Sequence, residues 1–350
     1  MNLDLITAFL RDYPDRIKIM EVCGTHTSSI VKNGVRSLIS GNIRLVSGPG
    51  CPVCVTPAKV IDRLIGLSRD AEVLTFGDML RVPGSRLSLS EAKAGGGSVR
   101  LMYSPFEVLP LAKERPERRF VVAAVGFETT APVYAALLEA LEREDIRNVT
   151  LLTALKTMPE ALGFICSGEA VDAFICPGHV SAVIGSAAYG KLCEKYRKPF
   201  VIAGFGPEHI LAALYEIARQ AQSGRSEVKN LYPSVVCRHG QARALAMMDK
   251  YFAKTDALWR GIGVIKDSGY EIRREYSRFS ANPEVMPGAD DIAEEESASA
   301  PAGCRCADVM LGRILPDECP LFGKACTPRR PVGACMVSSE GACGIWESGG

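Results

Sequence analysis

Several things are scarce in this 350-residue sequence, and each scarcity excludes something. Net charge is almost absent: 41 Lys and Arg against 40 Asp and Glu leave a formal +1. Such a balance gives no general attraction for nucleic acid or anionic lipid. No apolar run is long enough to span a bilayer, and "FVVAAVGF" is only strand-length. The opening "MNLDLITAFLRDYPDRIKIM" lacks a basic stretch followed by a long apolar core, so no secretory signal is expected and a cytoplasmic location is. Partners in the form of nucleic acid or membrane are therefore not expected. The remaining composition, 47% hydrophobic and 23% charged, is that of a soluble globular chain long enough for two or three domains.

Against this background the 13 cysteines stand out. In a reducing compartment so many thiols point to metal binding or thiol chemistry and not to a disulfide framework. Cys23, Cys51 and Cys54 lie near the start, and Cys166, Cys176, Cys193 and Cys237 are scattered through the middle. Six more crowd the stretch from Cys304 to Cys343.

Short apolar runs alternate with helical patterns along most of the chain. "RIKIMEVCGTHT" reads as a strand ending in a polar loop, followed by a helix through Ile30 to Ile39. "IRLVSGPGC" is the next strand, with a helix over Pro57 to Leu67 that carries Val60, Ile61, Leu64 and Leu67 on one face. "AEVLTFGD" and "VRLMYS" continue the rhythm, with "EAKAGGGS" as a flexible break between them. The pattern restarts with "RFVVAAVGFETTAP", whose helix begins near Pro132, and runs on through "VTLLTAL", "VDAFICPGHV" and "PFVIAGFGP". Strands without polar alternation, separated by helices, predict parallel sheets covered on both faces.

The expected fold is α/β, with two αβα-sandwich domains of mainly parallel sheets (residues 1–118 and 119–234) and a C-terminal iron–sulfur domain (residues 235–350). The last contains an acidic, Ala- and Ser-rich linker over 288–303. Its Pro- and Gly-rich remainder has too few helix and strand signals to build much core, which a metal centre would remedy.

Four polar loops follow predicted strand ends: Cys23-Gly24-Thr25-His26, Gly50-Cys51-Pro52-Val53-Cys54, Gly126-Phe127-Glu128-Thr129-Thr130 and Pro177-Gly178-His179. In open parallel sheets that edge binds ligands, so one cleft between two halves is expected. Thr129 or Thr130 before Pro132 reads as an ordinary helix N-cap, whereas Glu128 is not explained by capping. Cys51 and Cys54 fit a redox dithiol or metal-ligand pair, since a helix start nearby favours thiolate. A zinc ribbon would need a second close pair at suitable distance, and none occurs nearby. Cys23 could add a third sulfur, with His26 and His179 as borderline ligands or plain packing and capping residues. Cys319, Cys326, Cys335 and Cys343, separated by six, eight and seven residues, suit a [4Fe–4S] cluster better than structural zinc. Cys304 or Cys306 could replace one of them.

Taken together, "CGTHT", "GPGCPVCVTP", "GFETTAP", "PGHVS" and "CPLFGKACTPRRPVGACMVSSEGAC" resemble the motifs of the HypD family of hydrogenase maturation proteins, in order along nearly the whole chain. The resemblance implies a scaffold that, with the small chaperone HypC, assembles the Fe(CN)2CO group of [NiFe]-hydrogenases. It implies iron at Cys23 with His26 nearby, a [4Fe–4S] cluster in the third domain, and a Cys51/Cys54 dithiol in redox chemistry or iron handling. Cyanide would come from HypE with HypF, and the product would pass to the hydrogenase large subunit. Glu128 and His179 are the remaining expected catalytic residues. Conventional enzymatic turnover does not follow from such a role. One departure is Gly206, where the family pattern has an acid; Glu208 stands two residues on. Soft thiolates suit a low-spin iron centre. The rival reading is a free-standing iron–sulfur thiol–disulfide oxidoreductase.

Overall fold

Strand formation follows the apolar runs. The computed structural model describes residues 2–282 and 302–349. The first strands along the chain are β1 (Ile17–Glu21), β2 (Ile43–Ser47), β3 (Glu72–Thr75), β4 (Val99–Leu101), β5 (Phe120–Gly126) and β6 (Val149–Lys156). They are followed by β7 (Ala173–Cys176), β8 (Phe200–Ile202), β9 (Val228–Asn230), β10 (Phe252–Trp259) and β11 (Gly263–Ile272). All seven positions of β5 and all four of β7 are buried, as expected for strands covered on both faces.

These strands form two sheets, ordered β2-β1-β7-β8-β9 and β10-β11-β6-β5-β3-β4. The first is parallel throughout. The second is parallel from β4 to β6, and β11 and β10 extend it antiparallel. The expected α/β class with two mainly parallel sheets is thus present. Each sheet is the centre of one compact unit. One unit comprises Met1–Cys51, Pro159–Ala242 and Gly303–Gly350, and the other Pro52–Met158 and Arg243–Ala302.

The contiguous division at 118/119 and 234/235 is not how the strands are shared. Residues 1–118 give β1 and β2 to one sheet and β3 and β4 to the other, and residues 119–234 are likewise split. The segment from 235 onward is also divided: β10 and β11 belong to the second sheet, and Gly303–Gly350 to the first unit. Apolar runs encode that a strand is buried but not which neighbour it meets, so pattern alone could not assign partners. The acidic stretch 288–303 lies outside the described residues up to position 301.

Local differences have local causes. The helix expected over 30–39 instead spans Gly24–Lys32 and stops before Gly34, whose φ of 59° is left-handed. "EAKA" is not a break but the end of the helix Leu89–Ala94, started by a reciprocal Ser88–Glu91 capping box. The hairpin β10–β11 was not expected; exposed and half-buried positions dominate β10, which is an edge strand.

In the first unit, Ile6 and Leu10 of the helix Leu3–Arg11 and Ile210, Leu214 and Ile217 of the helix Pro207–Gln222 cover one face of the sheet. They meet Ile19, Leu45, Ile175 and Val201 there. Ile175, fully buried on the central strand, is expected to cost about 2–5 kcal/mol of unfolding free energy when replaced by Ala, read from urea denaturation. A loss below about 1 kcal/mol would mean this face is not the packed core described.

Candidate functional site

At the carboxyl end of β1 the chain turns through Val22 and Cys23 into the helix Gly24–Lys32, with Cys23 at the N-cap position. Glu21, the last residue of the strand, is 3% exposed and clamps this turn. One carboxylate oxygen accepts the Cys23 N–H at 3.2 Å, and the other accepts the Thr27 hydroxyl at 2.5 Å. Burial nevertheless dominates, pushing the Glu21 pKa up to about 7 against the opposing hydrogen bonds.

The Cys23 thiol faces the N–H groups of Thr25 and His26, which favour thiolate, but it is not aligned as a capping acceptor. Its burial wins and raises its pKa to about 11, with the nearby Glu21 charge adding to the shift. As a free group it is therefore a protonated thiol at neutral pH.

The loop after β2 lies against this turn. The Gly48 N–H donates to the Glu21 carbonyl at 2.7 Å. A Cβ on Gly50 would stand 2.6 Å from the Cys23 nitrogen, so only glycine permits the approach. Cys51 follows at once and is buried. Cys51 and Cys54 are disulfide-bonded, and the other eleven cysteines are in no disulfide.

His26 is wholly buried. Its Nε2 lies 3.0 Å from the Gly204 carbonyl and donates to it, which leaves Nδ1 as the lone-pair nitrogen. Among the described residues that buried Nδ1 has no hydrogen-bond partner. Burial lowers the His26 pKa to about 4, so the ring is neutral. Phe205, beyond β8, carries both imidazoles: its ring centre is 5.0 Å from that of His26 and 4.3 Å from that of His179. Burial also lowers the pKa of His179. A Cβ on Gly178 would come within 2.9 Å of the Phe205 ring, which explains the glycine before this histidine. At Gly206 the space a side chain would enter is taken by the carboxylate of Glu208, which curls back over it. No acid stands at position 206 itself, and the nearest carboxylate is that of the exposed Glu208.

The cysteine-rich segment belongs to this same unit. Cys306, Cys335 and Cys343 are hydrogen-bonded through their sulfurs, with Cys304 and Cys319 close enough to Cys343 to act on it electrostatically. The bonds from Cys306 and Cys343 push Cys335 up, and those with Cys306 and Cys335 pull Cys343 down. A Cβ on Gly333 would come within 2.5 Å of the Cys306 sulfur and 2.6 Å of that of Cys304. Cys326 accepts the Val332 N–H at 3.3 Å. Cys319, Cys326, Cys335 and Cys343 are all buried, while Cys304 and Cys306 are half-buried. Among the described residues no three His, Cys, Asp or Glu side chains stand ready-made around an ion position; the thiols satisfy one another instead.

This segment also touches the Cys23 turn. A Cβ on Gly24 would lie 2.6 Å from the Glu340 carbonyl oxygen. The guanidinium of Arg36 stacks over Trp346 at 4.6 Å and donates to the Leu45 carbonyl at 2.9 Å.

Glu128 lies in the other unit, beyond β5. It is 1% exposed and accepts the Met158 N–H at 2.9 Å, so it has a definite structural task. Thr130 occupies the N-cap position of the helix Ala131–Arg143, but its hydroxyl donates to the Phe127 carbonyl and does not cap the helix. Sequence reasoning overlooked Glu21 and Arg36. The available signal was a lone carboxylate ending an apolar strand beside a cysteine, in "IMEVC".

A carboxyl whose pKa is higher in the fold than in the unfolded chain stabilises most at low pH, and that stability fades as pH rises through about 7. Unfolding free energy should therefore fall between about pH 5 and 8 by about 2–3 kcal/mol on account of Glu21. Glu21→Gln should remove that slope in denaturation titrations. An unchanged slope would place its origin elsewhere.

Comparison with known proteins bears on this arrangement. A family model described as HypD, hydrogenase formation hypA family, matches residues 3–349. The chain is 43% identical to the hydrogenase maturation factor HypD of Rhodobacter capsulatus over 95% of its own length and 90% of the relative's. It is 40% identical to HypD of Escherichia coli strain K12, covering 94% and 88%. The hydrogenase expression/formation protein HupD of Azotobacter chroococcum is also 40% identical, with the same coverage. With its cysteine-rich segment reaching the Cys23 turn at Glu340 and its likeness extending from end to end, the chain belongs to the HypD family of hydrogenase maturation factors.

Proposed function

We propose that this chain is a scaffold for building the Fe(CN)2CO group of [NiFe]-hydrogenases, working with a HypC-type chaperone. Cyanide arrives from HypE with HypF, and the product is destined for the hydrogenase large subunit. The observation that carries this reading is the convergence on one turn: Cys23 has the Cys51 loop on one side and the cysteine-rich segment on the other.

Iron is the cargo, and Cys23 is its thiolate. Binding requires the thiol to lose a proton that burial otherwise retains. Glu21, hydrogen-bonded to the Cys23 N–H and titrating near neutrality, is the adjacent group able to take it. His26 offers a buried neutral Nδ1 lone pair, and its Nε2–H bond to Gly204 fixes the tautomer. His179, whose ring lies against the same Phe205, is the proton carrier in this reading.

The donor set of the C-terminal segment fits an iron–sulfur centre: buried soft thiols around a glycine whose Cβ would intrude on them. Cys319, Cys326, Cys335 and Cys343 would hold a [4Fe–4S] cluster, with Cys304 and Cys306 beside them. Such a cluster, when bound, supplies single electrons. The Cys51–Cys54 disulfide becomes a dithiol on taking up two electrons and two protons. Glu128 belongs in this reading as an acid of the second unit whose carboxylate also holds Met158.

Two substitutions test the assignment. Cys51→Ser, purified anaerobically with the HypC-type partner, should keep iron–sulfur absorbance and lose the infrared bands of iron-bound cyanide. Normal bands would remove the dithiol from the chemistry. Cys335→Ser should lose the visible iron–sulfur absorbance and the associated iron and sulfide; full retention would exclude Cys335 as a ligand. Turnover of protein disulfides without the chaperone, insensitive to Cys23→Ser, would favour the oxidoreductase reading.

A further inference from the structure

A hollow of about 240 Å³ in the second unit shares no lining residue with the site described above. Its origin is the choice of small residues on one face of the sheet. Ala154 of β6, Gly269 of β11 and Ala257 of β10 line it, where larger strand residues would fill the space. In the strand register Gly269 sits between Lys156 and Thr255. A Cβ on Gly269 would come within 2.8 Å of the Ala257 Cβ, so glycine keeps this floor open. Leu152 and Leu258 add apolar surface, and Pro57 and Val60 line it from the start of the helix Ala58–Leu67.

Five charged side chains line the hollow, but not all are available. Lys59 and Lys156 have interactions within the protein, and Asp256 accepts the Asp267 N–H at 2.9 Å. Arg63, on the helix, and Glu271, on β11, remain, and neither has a hydrogen bond or ion pair among the described residues. They line one cavity with opposite charge and are not joined in a salt bridge. Glu271 is half-buried, and burial alone raises its pKa. Its carboxylate therefore lacks the donor that such a setting calls for.

We propose that this hollow binds a small zwitterion with an aliphatic body, a free α-amino acid of the leucine type. The ammonium meets Glu271, the carboxylate meets Arg63, and the side chain lies over Leu152, Ala154 and Ala257. The space falls below the roughly 300–1,000 Å³ of drug-sized sites, which favours so small a ligand. Specificity follows from the two charges, and more from the half-buried Glu271 than from the exposed Arg63: a ligand with its amine blocked leaves the Glu271 carboxylate without a donor. The proposal is independent of the metal chemistry assigned to Cys23.

Calorimetric titration of the full chain with L-leucine tests it, with N-acetyl-leucine and leucinamide as blocked controls. Leucine should bind saturably at millimolar or lower concentration, and each control should bind about ten-fold more weakly. Glu271→Gln should weaken leucine about ten-fold and leave N-acetyl-leucine unchanged. Ala154→Leu should fill the hollow and abolish binding. Thermal unfolding of both variants identifies any that lose the fold, and Glu271→Gln at a half-buried position serves if Ala154→Leu does not fold. Absence of saturable leucine binding, equal binding of N-acetyl-leucine, or full affinity in folded Ala154→Leu would overturn the proposal.

Discussion

Two backbones close on the turn that carries Cys23, and most of what the first unit can do depends on that squeeze. From one side the chain at Glu340 leaves no room for a Cβ on Gly24. From the other, Gly50 lies directly against the Cys23 backbone. Glu21 fastens the turn from within, through the Cys23 N–H and the Thr27 hydroxyl. A thiol held this way has little freedom to rearrange, and segments far apart in sequence are set around it. Glycine is required at both approaches for steric reasons, whatever the chemistry nearby.

Burial sets the electrostatics of that region. It raises Glu21 and Cys23 and lowers His26, each time penalising the charged form. The thiol and imidazole are therefore neutral at neutral pH, and the carboxyl sits near its midpoint. A neutral setting of this kind is poor at attracting ions by charge, and any cation taken up by the thiol must displace its proton. The same rule works differently in the cysteine-rich segment. There sulfur–sulfur hydrogen bonds, ahead of burial, separate Cys335 from Cys343.

Much of this was readable from residue order. Strands such as "FVVAAVG" announce themselves because parallel strands are covered on both faces and need no polar alternation. Pro132 falls in the first turn of its helix as its fixed φ requires. Cys23, His26 and His179 do follow the carboxyl ends of strands, as the motif positions imply, but β1 and β7 share one sheet where residue order had assigned them to two. Other features were hidden. Glu21 looks like a strand residue until its carboxylate is seen to turn back on the helix start. Thr130 has the right type and position for a cap yet bonds Phe127 instead. The hairpin β10–β11 carries polar residues at its exposed positions and so did not read as part of a sheet.

By itself the sequence determined the α/β class, the cysteine-rich end and the residue types at each strand-to-helix loop, because these depend on local periodicity and composition. Only the tertiary structure decided which strands share a sheet, that "CRC" stands among the other C-terminal sulfurs, and that Glu208 fills the place opened at Gly206. Those are questions of which distant backbones meet. Close approach is governed by excluded volume and hydrogen-bond partners across the chain, and neither leaves a periodic trace in the order of residues.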